Sequence, residues 1–215
     1  PNNPCGDPPS GVGGVQSSPS AEGGALRAQD LIRPGDPTTY DGAILRIDPL
    51  SGAAAPGNPL AGGSAADDDR IIAFGLRNPF RIAIRPGTNR LYVGDVGWST
   101  WEEIDIVENG ADAVVENFGW PCYEGNDPSL YQTQPQCTKL LNNTLPQGTP
   151  GTKTAPFFTY AAGKAPGWQD PNPCGGSANS IGGVAFYGTG DYPAIYQGAL
   201  FFADYAAICI YAMRV

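Results

Sequence analysis

Two stretches of the sequence decide the fold: FRIAIRPGTNRLYVGD at residues 80–95 and GGVAFYGTGDYPAIYQGALFFAD at residues 182–204. In each stretch an apolar run is followed by turn residues and by a second apolar run, which ends at an acidic residue, Asp95 or Asp204. Pro, Gly and Asn at the turns, and the short distance between the runs, are typical of β-hairpins. The same kind of hairpin unit therefore occurs at least twice in the chain.

Short apolar or alternating runs continue along the chain from residue 43 onward. The predicted strands are 43–47, 70–74, 80–84, 90–93, 103–107, 156–160, 181–186, 199–203 and 209–213. No helical stripe recurs between these runs, so a parallel sheet with crossover helices is disfavoured and the predicted class is all-β. The recurring hairpin favours the blades of a β-propeller, while a β-sandwich would also explain strands separated by turns.

The composition excludes several functional classes. The chain has 30 Gly and 22 Pro, which suits many turns, and 41% hydrophobic residues, which argues against disorder. Lys and Arg number 12 against 21 Asp and Glu, and the net charge of −9 offers no footprint for nucleic acid or an anionic membrane. No run reaches the roughly 18 apolar residues of a membrane helix. The opening residues Pro1-Asn2-Asn3-Pro4 resemble neither an initiator Met nor a signal peptide, so we expect the chain to continue upstream.

The five cysteines indicate an oxidising compartment, because they lie in loop-like contexts without the CxxC spacing of metal knuckles. Cys122 and Cys137 bracket a polar, turn-rich stretch. Cys174 and Cys209 could tie a loop to a late strand. Cys5 is then left over, and its simplest partner is a cysteine in upstream sequence.

Arg77 and Asn78 are the first candidate binding residues. They follow an apolar strand and precede Pro79, which cannot continue a central ladder, so both side chains are expected at a strand end. A planar guanidinium recognises carboxylate or quinone oxygens with two parallel hydrogen bonds. The alternative is a structural arginine that caps strand carbonyls or pairs with Asp95.

The loop from Gly94 to Gly97, with Trp98 and then Glu102 and Glu103, is rich in the hard oxygen ligands that calcium prefers. It suggests a calcium loop. The alternative is that both glutamates are solvated charges beside an edge strand. Asp204 is a weaker candidate at the end of a strand.

The aromatic residues between Phe186 and Phe202, together with Trp120, could form a platform for a sugar ring. Alternating apolar residues in strands more often fill the space between sheets, so we predict that they belong to the core.

Four segments in order carry a family resemblance: GLRNPFRIAI at 75–84, LYVGDVGWSTWEEIDIV at 91–107, NFGWPCYEG at 117–125 and AFYGTGDYPAIYQGALFFADY at 185–205. This ordered set resembles the quinoprotein glucose/sorbosone dehydrogenases over about Asp41 to Met213. The resemblance implies part of a six-bladed β-propeller with long irregular loops. It also implies pyrroloquinoline quinone (PQQ) and calcium as cofactors, and oxidation of the anomeric carbon of an aldose to a lactone.

The resemblance also assigns domains and site residues. Residues 1–40 would be a loop-rich insertion, and residues 41–215 about three C-terminal blades, half of such a propeller. Arg77 and Asn78 would contact PQQ. The main-chain carbonyls of Gly97 and Trp98 would bind the calcium at the cofactor, and a second, structural ion would take Glu102, Glu103 and the carbonyl of Phe118.

Three departures from the family pattern bear on function. The chain contains no His, whereas the family uses a His as general base, and that His would lie upstream of the matched region. Ala206 and Ala207 stand where many relatives have a basic residue that holds the cofactor, and no Trp matches the quinone-stacking position near Gly175 and Gly176.

The resemblance therefore predicts a secreted, periplasmic or extracellular protein that needs an N-terminal propeller segment, and it assigns no catalytic residue to this chain. A non-catalytic extracellular propeller used for binding or assembly, and a calcium-dependent lactonase-like hydrolase, remain as alternatives.

Overall fold

A computed structural model of the protein describes residues 24–32, 38–63, 67–145, 152–164, 177 and 179–215. The chain divides into two compact units: unit 1 comprises Pro1–Arg77 and Gly110–Thr154, and unit 2 comprises Asn78–Asn109 and Ala155–Val215. The described residues form twelve strands, one α-helix and three 3-10 helices. None of these helices has the length and apolarity needed to cross a membrane.

The strands in chain order are β1 (Ile44–Leu45), β2 (Ile71–Phe74), β3 (Pro79–Ile84), β4 (Leu91–Asp95), β5 (Trp101–Val107), β6 (Glu116–Asn117), β7 (Tyr123–Glu124), β8 (Asp127–Pro128), β9 (Phe158–Ala161), β10 (Ile181–Phe186), β11 (Leu200–Asp204) and β12 (Cys209–Met213). The α-helix α1 spans Pro135–Leu141, and the 3-10 helices span Gly24–Ile32, Asp68–Arg70 and Ala194–Tyr196. A strand lies at each of the nine predicted positions, and β10 and β12 have the predicted bounds. The short strands β6 to β8 and the helix α1 were not predicted.

Unit 2 consists of two antiparallel sheets, a four-stranded one in the order β3-β4-β5-β9 and a three-stranded one in the order β10-β11-β12. The turn that joins β3 to β4 is closed by the amide of Arg85, which donates to the carbonyl of Arg90 at 2.9 Å. β4 is buried along its whole length, and β11 alternates buried with half-buried residues. The two predicted hairpins are therefore present, as β3–β4 and β10–β11. Their second strands, β4 and β11, are interior strands of their sheets.

One apolar cluster forms the core of unit 2. Its members come from both sheets and from the residues that adjoin their strands. They are Tyr92, Val96, Ile104, Ile106, Tyr160, Ile181, Val184, Leu200, Phe202, Ala207 and Tyr211. Gly94 lies where the sheets approach closely, since a Cβ there would be 3.3 Å from Val184. Two sheets that bury their faces against each other in this way are typical of neighbouring propeller blades.

Unit 1 has less regular structure. Its largest sheet has three strands in the order β1-β2-β6, and β2 pairs with β6 in parallel over two residues. The disulfide between Cys122 and Cys137 joins the residue before β7 to α1, as the sequence predicted. Pro135 starts α1 at a position that lacks an intrahelical partner for its nitrogen, and Cys137 is fully buried.

The 3-10 helix at Gly24–Ile32 lies within residues 1–40, which the resemblance assigns to a loop-rich insertion, yet Leu26, Ala28 and Ile32 are buried in unit 1. Its apolar side therefore contributes to the core. Cys209 is disulfide-bonded, but its predicted partner Cys174 lies outside the described residues, as does Cys5, so both pairings stay predictions.

Candidate functional site

Arg77 lies at a strand end, where the sequence places it. Phe74 ends β2, and Gly75 turns the chain with a φ of +76°, a conformation that L side chains rarely adopt. Arg77 follows two residues later and is half-buried. Pro79 then starts β3, opposite the last residue of β4 in the register. The turn at Gly75 therefore separates Arg77 from the ladder of β2.

The guanidinium of Arg77 lies against an aromatic ring. Its Cζ is 5.6 Å from the centroid of the Trp120 ring, and Trp120 is itself in edge contact with Tyr131 at 5.8 Å. Burial raises the pKa of Tyr131, and the charge of Arg77 opposes that shift. A guanidinium in this position over Trp is held by cation–π attraction.

Asn78 is held by its backbone. Its amide donates to Oδ1 of Asp95 at 2.6 Å, and its carbonyl accepts from the amide of Val96 at 3.1 Å. Asp95 is 3% exposed and ends β4, while Asn78 itself is exposed. The carboxylate of Asp95 thus fixes the start of β3 and leaves the Asn78 side chain at the surface.

The predicted calcium loop connects β4 to β5. The amide of Gly97 is 3.4 Å from Oε2 of Glu102, and Trp98 is 45% exposed. The assignment of the Gly97 and Trp98 carbonyls as calcium ligands stays a prediction.

The expectation that Glu102 and Glu103 are solvated charges beside an edge strand is wrong. They are 2% and 7% exposed, and β5 is an interior strand between β4 and β9. Oε2 of Glu102 also accepts from the amide of Ile181 at 3.0 Å. Burial, with smaller contributions from the charges of Asp204 and Asp95, raises the pKa of Glu102 to about 7. The register of β5 therefore buries both carboxylates, which local sequence does not reveal.

The assignment of a second, structural ion to Glu102, Glu103 and the carbonyl of Phe118 stays a prediction. Glu102 and Glu103 are neighbours in one strand, and successive side chains of a strand point to opposite faces. Phe118 belongs to unit 1, whereas the glutamates belong to unit 2. Within the described residues no three His, Cys, Asp or Glu side chains are grouped so that they could hold a metal ion.

Asp204 ends β11 and is 1% exposed. Its Oδ1 accepts from the amides of Ala207 at 2.8 Å and Asn179 at 3.3 Å. Its Oδ2 accepts from the amide of Ser180 at 3.0 Å and from the hydroxyl of Tyr160 at 2.8 Å. Burial, and then this hydrogen bond, raise the pKa of Tyr160. Asp204 thus lies at a strand end as predicted, and its carboxylate organises the surrounding chain.

The two alanines that replace a basic residue differ in environment. Ala207 is fully buried and donates to Asp204, while Ala206 is half-buried. A long basic side chain at residue 207 would have to displace core residues of unit 2. The position near Gly175 and Gly176 lies outside the described residues.

The core prediction for the aromatic residues holds at Trp120 and Phe202, which are 8% and 1% exposed. Tyr192 differs, because it is 61% exposed and stacks on Phe201 with centroids 6.0 Å apart.

Sequence reasoning missed the polar residues that organise the site from a distance. Gln29 and Asn117 hydrogen-bond to each other although 88 positions separate them, and Tyr160 reaches Asp204 over 44 positions. No motif joins such pairs. The register of β5 with β9 places Tyr160 beside Glu102, but that register is known only from the structure.

The profile of the Glucose / Sorbosone dehydrogenase family matches residues 23–215. The chain belongs to this family. The match confirms the resemblance seen in the four sequence segments, and it includes every candidate residue described above.

The relatives of this family member are longer than the chain itself. The HIPL2 protein of Arabidopsis thaliana is 30% identical over 158 residues, which are 72% of this chain and 19% of that protein. The PQQ-bound aldose sugar dehydrogenase of Streptomyces coelicolor is 21% identical, with a TM-score of 0.50 over 84% of this chain and 37% of the other. The soluble aldose sugar dehydrogenase of Escherichia coli, in its apo form, is 22% identical, with a TM-score of 0.52 over 84% and 41% of the two chains.

These likenesses show the fold. The chain is all-β and has the fold of part of a β-propeller, as the sequence predicted. It spans about a fifth of the HIPL2 protein and about two fifths of each dehydrogenase.

Proposed function

We propose that the complete protein is a quinoprotein sugar dehydrogenase, which oxidises the anomeric carbon of an aldose to a lactone with PQQ and calcium. The observation that carries this proposal is the guanidinium of Arg77, which lies over the Trp120 ring at a strand end. Asn78 follows at once and is anchored through its backbone to Asp95. This chain would supply the cofactor contacts, and the rest of the polypeptide would complete the site.

The donor set fits PQQ. That cofactor carries three carboxylates and an ortho-quinone, all of which accept hydrogen bonds, and a planar guanidinium matches a carboxylate with two parallel bonds. Trp120 covers one face of the Arg77 guanidinium. The exposed amide of Asn78 could donate to a second acceptor group.

The case for calcium rests on a different donor type. Calcium accepts main-chain carbonyls as ligands, and the loop that contains Gly97 and Trp98 presents several in succession. The buried carboxyl groups of Asp95 and Glu102 belong to the strands that flank this loop. The calcium assignment for Gly97, Trp98, Glu102, Glu103 and the carbonyl of Phe118 is part of the proposal.

When bound, PQQ would supply the two-electron acceptor and calcium would polarise it. This chain's residues have supporting tasks. Arg77 would bind and orient an anionic group, and Asp95 would keep Asn78 in place through its amide. The chain has no His, so the group that accepts the proton of the anomeric hydroxyl is proposed to lie in the remainder of the polypeptide.

An exposed apolar row supports the need for a further propeller segment. Phe80, Ile82 and Ile84 occupy alternate positions of β3 and are 53%, 53% and 65% exposed. Alternate residues of a strand share one face, so these three side chains form one apolar surface. We propose that an N-terminal segment of the same propeller covers it, since contiguous apolar surface of this kind is usually buried.

The disulfides support export. Cys122 and Cys137 are bonded to each other, and Cys209 is also disulfide-bonded. Because such bonds persist in oxidising compartments, we place the protein in the periplasm or outside the cell.

A second candidate is a non-catalytic propeller used for binding or assembly. It is favoured by Ala207, whose buried position replaces the basic residue that many relatives use toward the cofactor. Such a protein would keep the metal-dependent scaffold without redox chemistry.

The test is calorimetric titration of the complete, calcium-loaded protein with PQQ. We expect binding, and we expect Arg77→Ala to weaken it at least tenfold, about 1.4 kcal/mol. The matched control is Arg90→Ala, because Arg90 is an exposed arginine that pairs with Glu108 at 2.7 Å. Its substitution should leave the dissociation constant of PQQ unchanged.

The other outcomes decide among the alternatives. Reduction of a dye in the presence of aldoses and PQQ would establish the dehydrogenase. No PQQ binding, with calcium still raising the melting temperature, would establish the binding module instead. Hydrolysis of lactones without added quinone would point to the lactonase-like enzyme.

A further inference from the structure

Two amide side chains form a closed pair in the interior of unit 1. Gln29 and Asn117 are both fully buried. Nε2 of Gln29 donates to Oδ1 of Asn117 at 2.8 Å, and Nδ2 of Asn117 donates back to Oε1 of Gln29 at 2.9 Å. Nε2 of Gln29 also donates to the carbonyl of Trp120 at 2.8 Å, and Oδ1 of Asn117 accepts from the amide of Gly119 at 2.9 Å. The two backbone groups fix the orientation of both amides, since a flipped amide would face a like group.

The same pair packs against the backbone that leads to Arg77. A Cβ on Gly75 would lie 2.3 Å from Oδ1 of Asn117 and 2.7 Å from Nε2 of Gln29. The carbonyl of Gly75 accepts from the amide of Trp120 at 2.7 Å. Arg77 therefore leaves β2 through a turn whose position is set by the amide pair.

The pair also fixes the ring under the guanidinium. Trp120 has its carbonyl bonded to Gln29, its amide bonded to Gly75 and its ring in edge contact with Tyr131. The Cζ of Arg77 lies 5.6 Å from the centroid of that ring. The buried amide pair therefore contacts both the backbone turn that precedes Arg77 and the residue whose ring lies against the guanidinium.

We propose that Gln29 and Asn117 are positioning residues, which place the guanidinium of Arg77 for an anionic ligand through Gly75 and Trp120. An Arg side chain loses rotamer entropy when a ligand fixes it, and prior fixing on Trp120 removes part of that cost. The proposal rests on the proposed function in one respect only, that the ligand carboxylate belongs to PQQ.

The test uses the complete, calcium-loaded protein with Gln29→Met and Asn117→Leu. Two quantities are measured: the dissociation constant of PQQ by calorimetry, and the NMR shift of the Nε–H of Arg77, which the Trp120 ring current displaces without any ligand. We expect PQQ affinity to fall about tenfold in each variant. We also expect the Arg77 resonance to move toward the value of an exposed arginine.

The matched control is Asn58→Leu. Asn58 is another buried amide of unit 1, and its Nδ2 donates to the carbonyls of Arg46 at 2.7 Å and Asp69 at 2.9 Å. Its loss should lower the melting temperature by a similar amount, because a buried hydrogen-bonded amide is removed in both cases. PQQ affinity and the Arg77 resonance should not change.

Unchanged affinity and an unchanged Arg77 resonance in the folded variants would overturn the proposal. If the single variants do not fold, the double variant Gln29→Met with Asn117→Leu serves instead, since it leaves neither amide unpaired. If the unsubstituted protein binds no PQQ, the proposed function fails, and the Arg77 resonance then decides the positioning by itself. A resonance that stays in place would reject it, and one that moves would support it.

Discussion

The two units of the molecule achieve order in different ways. Unit 2 consists of two antiparallel sheets with one apolar cluster, and its strands follow each other at hairpin spacing. Unit 1 has strands of two to four residues, a disulfide and a buried amide pair that joins residues 88 positions apart. In a regular sheet, the many remaining hydrogen bonds and side-chain pairs limit the loss of stability that one substitution causes. A unit that depends on a few long-range contacts lacks this reserve. We therefore expect single substitutions to lower the free energy of unfolding more in unit 1 than in unit 2.

The largest effect is expected for Gly75→Ala in unit 1. The new Cβ would lie 2.3 Å from Oδ1 of Asn117, 2.7 Å from Nε2 of Gln29 and 2.7 Å from the amide of Gly119. This clash adds to the strain of a φ of +76°. We expect a loss of about 4 kcal/mol in the free energy of unfolding, measured by urea denaturation of the complete protein.

The matched control for this substitution is Gly87→Ala in unit 2. Gly87 has the same φ of +76°, but nothing lies within 4 Å of its added Cβ. Only the backbone strain applies, so the expected loss is about 1 kcal/mol. Equal losses at the two glycines would mean that the amide pair is more compliant than its short distances imply, and the contrast between the units would fail.

A smaller effect is expected for Asp204→Asn in unit 2. The carboxylate accepts four hydrogen bonds, from the hydroxyl of Tyr160 and from the amides of Asn179, Ser180 and Ala207. An Asn side chain has one oxygen, and its NH₂ group would face donors. We expect a loss of about 3 kcal/mol in unfolding free energy, because buried donors are left unpaired.

Asp191→Asn is the control for Asp204→Asn, since Asp191 is an exposed residue of the same unit. Its effect should stay within about 0.5 kcal/mol. If Asp204→Asn were as mild, the carboxylate would not organise the strand ends, and the regular sheets alone would account for the order of unit 2.

The fold of unit 2 could be predicted because its information is local. The short apolar run at residues 181–186 predicts the strand β10, which pairs with β11. The turn residues at 85–90 predict that β3 and β4 pair as a hairpin. In unit 1 the decisive contacts are not local. Gln29 lies within residues 1–40, which are rich in Pro, Gly, Ser and Asp overall, and nothing in the local sequence pairs it with Asn117.

The candidate site could be predicted in part for the same reason. The position of Arg77 and Asn78 at a strand end could be predicted because an apolar strand precedes them and Pro79 follows, whereas their contact with a cofactor stays a prediction. The burial of Glu102 and Glu103 was not foreseen, because it depends on the position of β5 between β4 and β9. The roles of Gln29, Asn117 and Tyr160 could not be seen, since amides and hydroxyls give no periodic signal.

The smallest expected effect is a pH dependence of stability that comes from Asp30, a buried aspartate of unit 1. Asp30 in unit 1 is 4% exposed, and its Oδ2 accepts from the amide and the hydroxyl of Thr39, at 3.0 and 2.6 Å. Its Oδ1 has no hydrogen-bond partner among the described residues. Burial raises the pKa of Asp30 from 3.8 to about 6, with a further increase from Asp41, while Thr39 and Arg27 act in the opposite direction.

Between these two pKa values the folded chain keeps a proton on Asp30 that the unfolded chain has lost, so stability from this residue falls as the pH rises from about 4 to 6. Asp30→Asn removes that dependence. As the pH rises from about 4 to 6, the melting temperature of the variant should therefore increase relative to that of the unsubstituted protein. Asp48→Asn is the control with the opposite sign, because hydrogen bonds from Ser51 hold the pKa of Asp48 below its usual value. Stability from Asp48 is present above its unfolded pKa and is lost as the pH falls. Parallel curves for Asp30→Asn and the unsubstituted protein would show that Asp30 is already charged in the folded state between about pH 4 and 6, which would contradict the prediction.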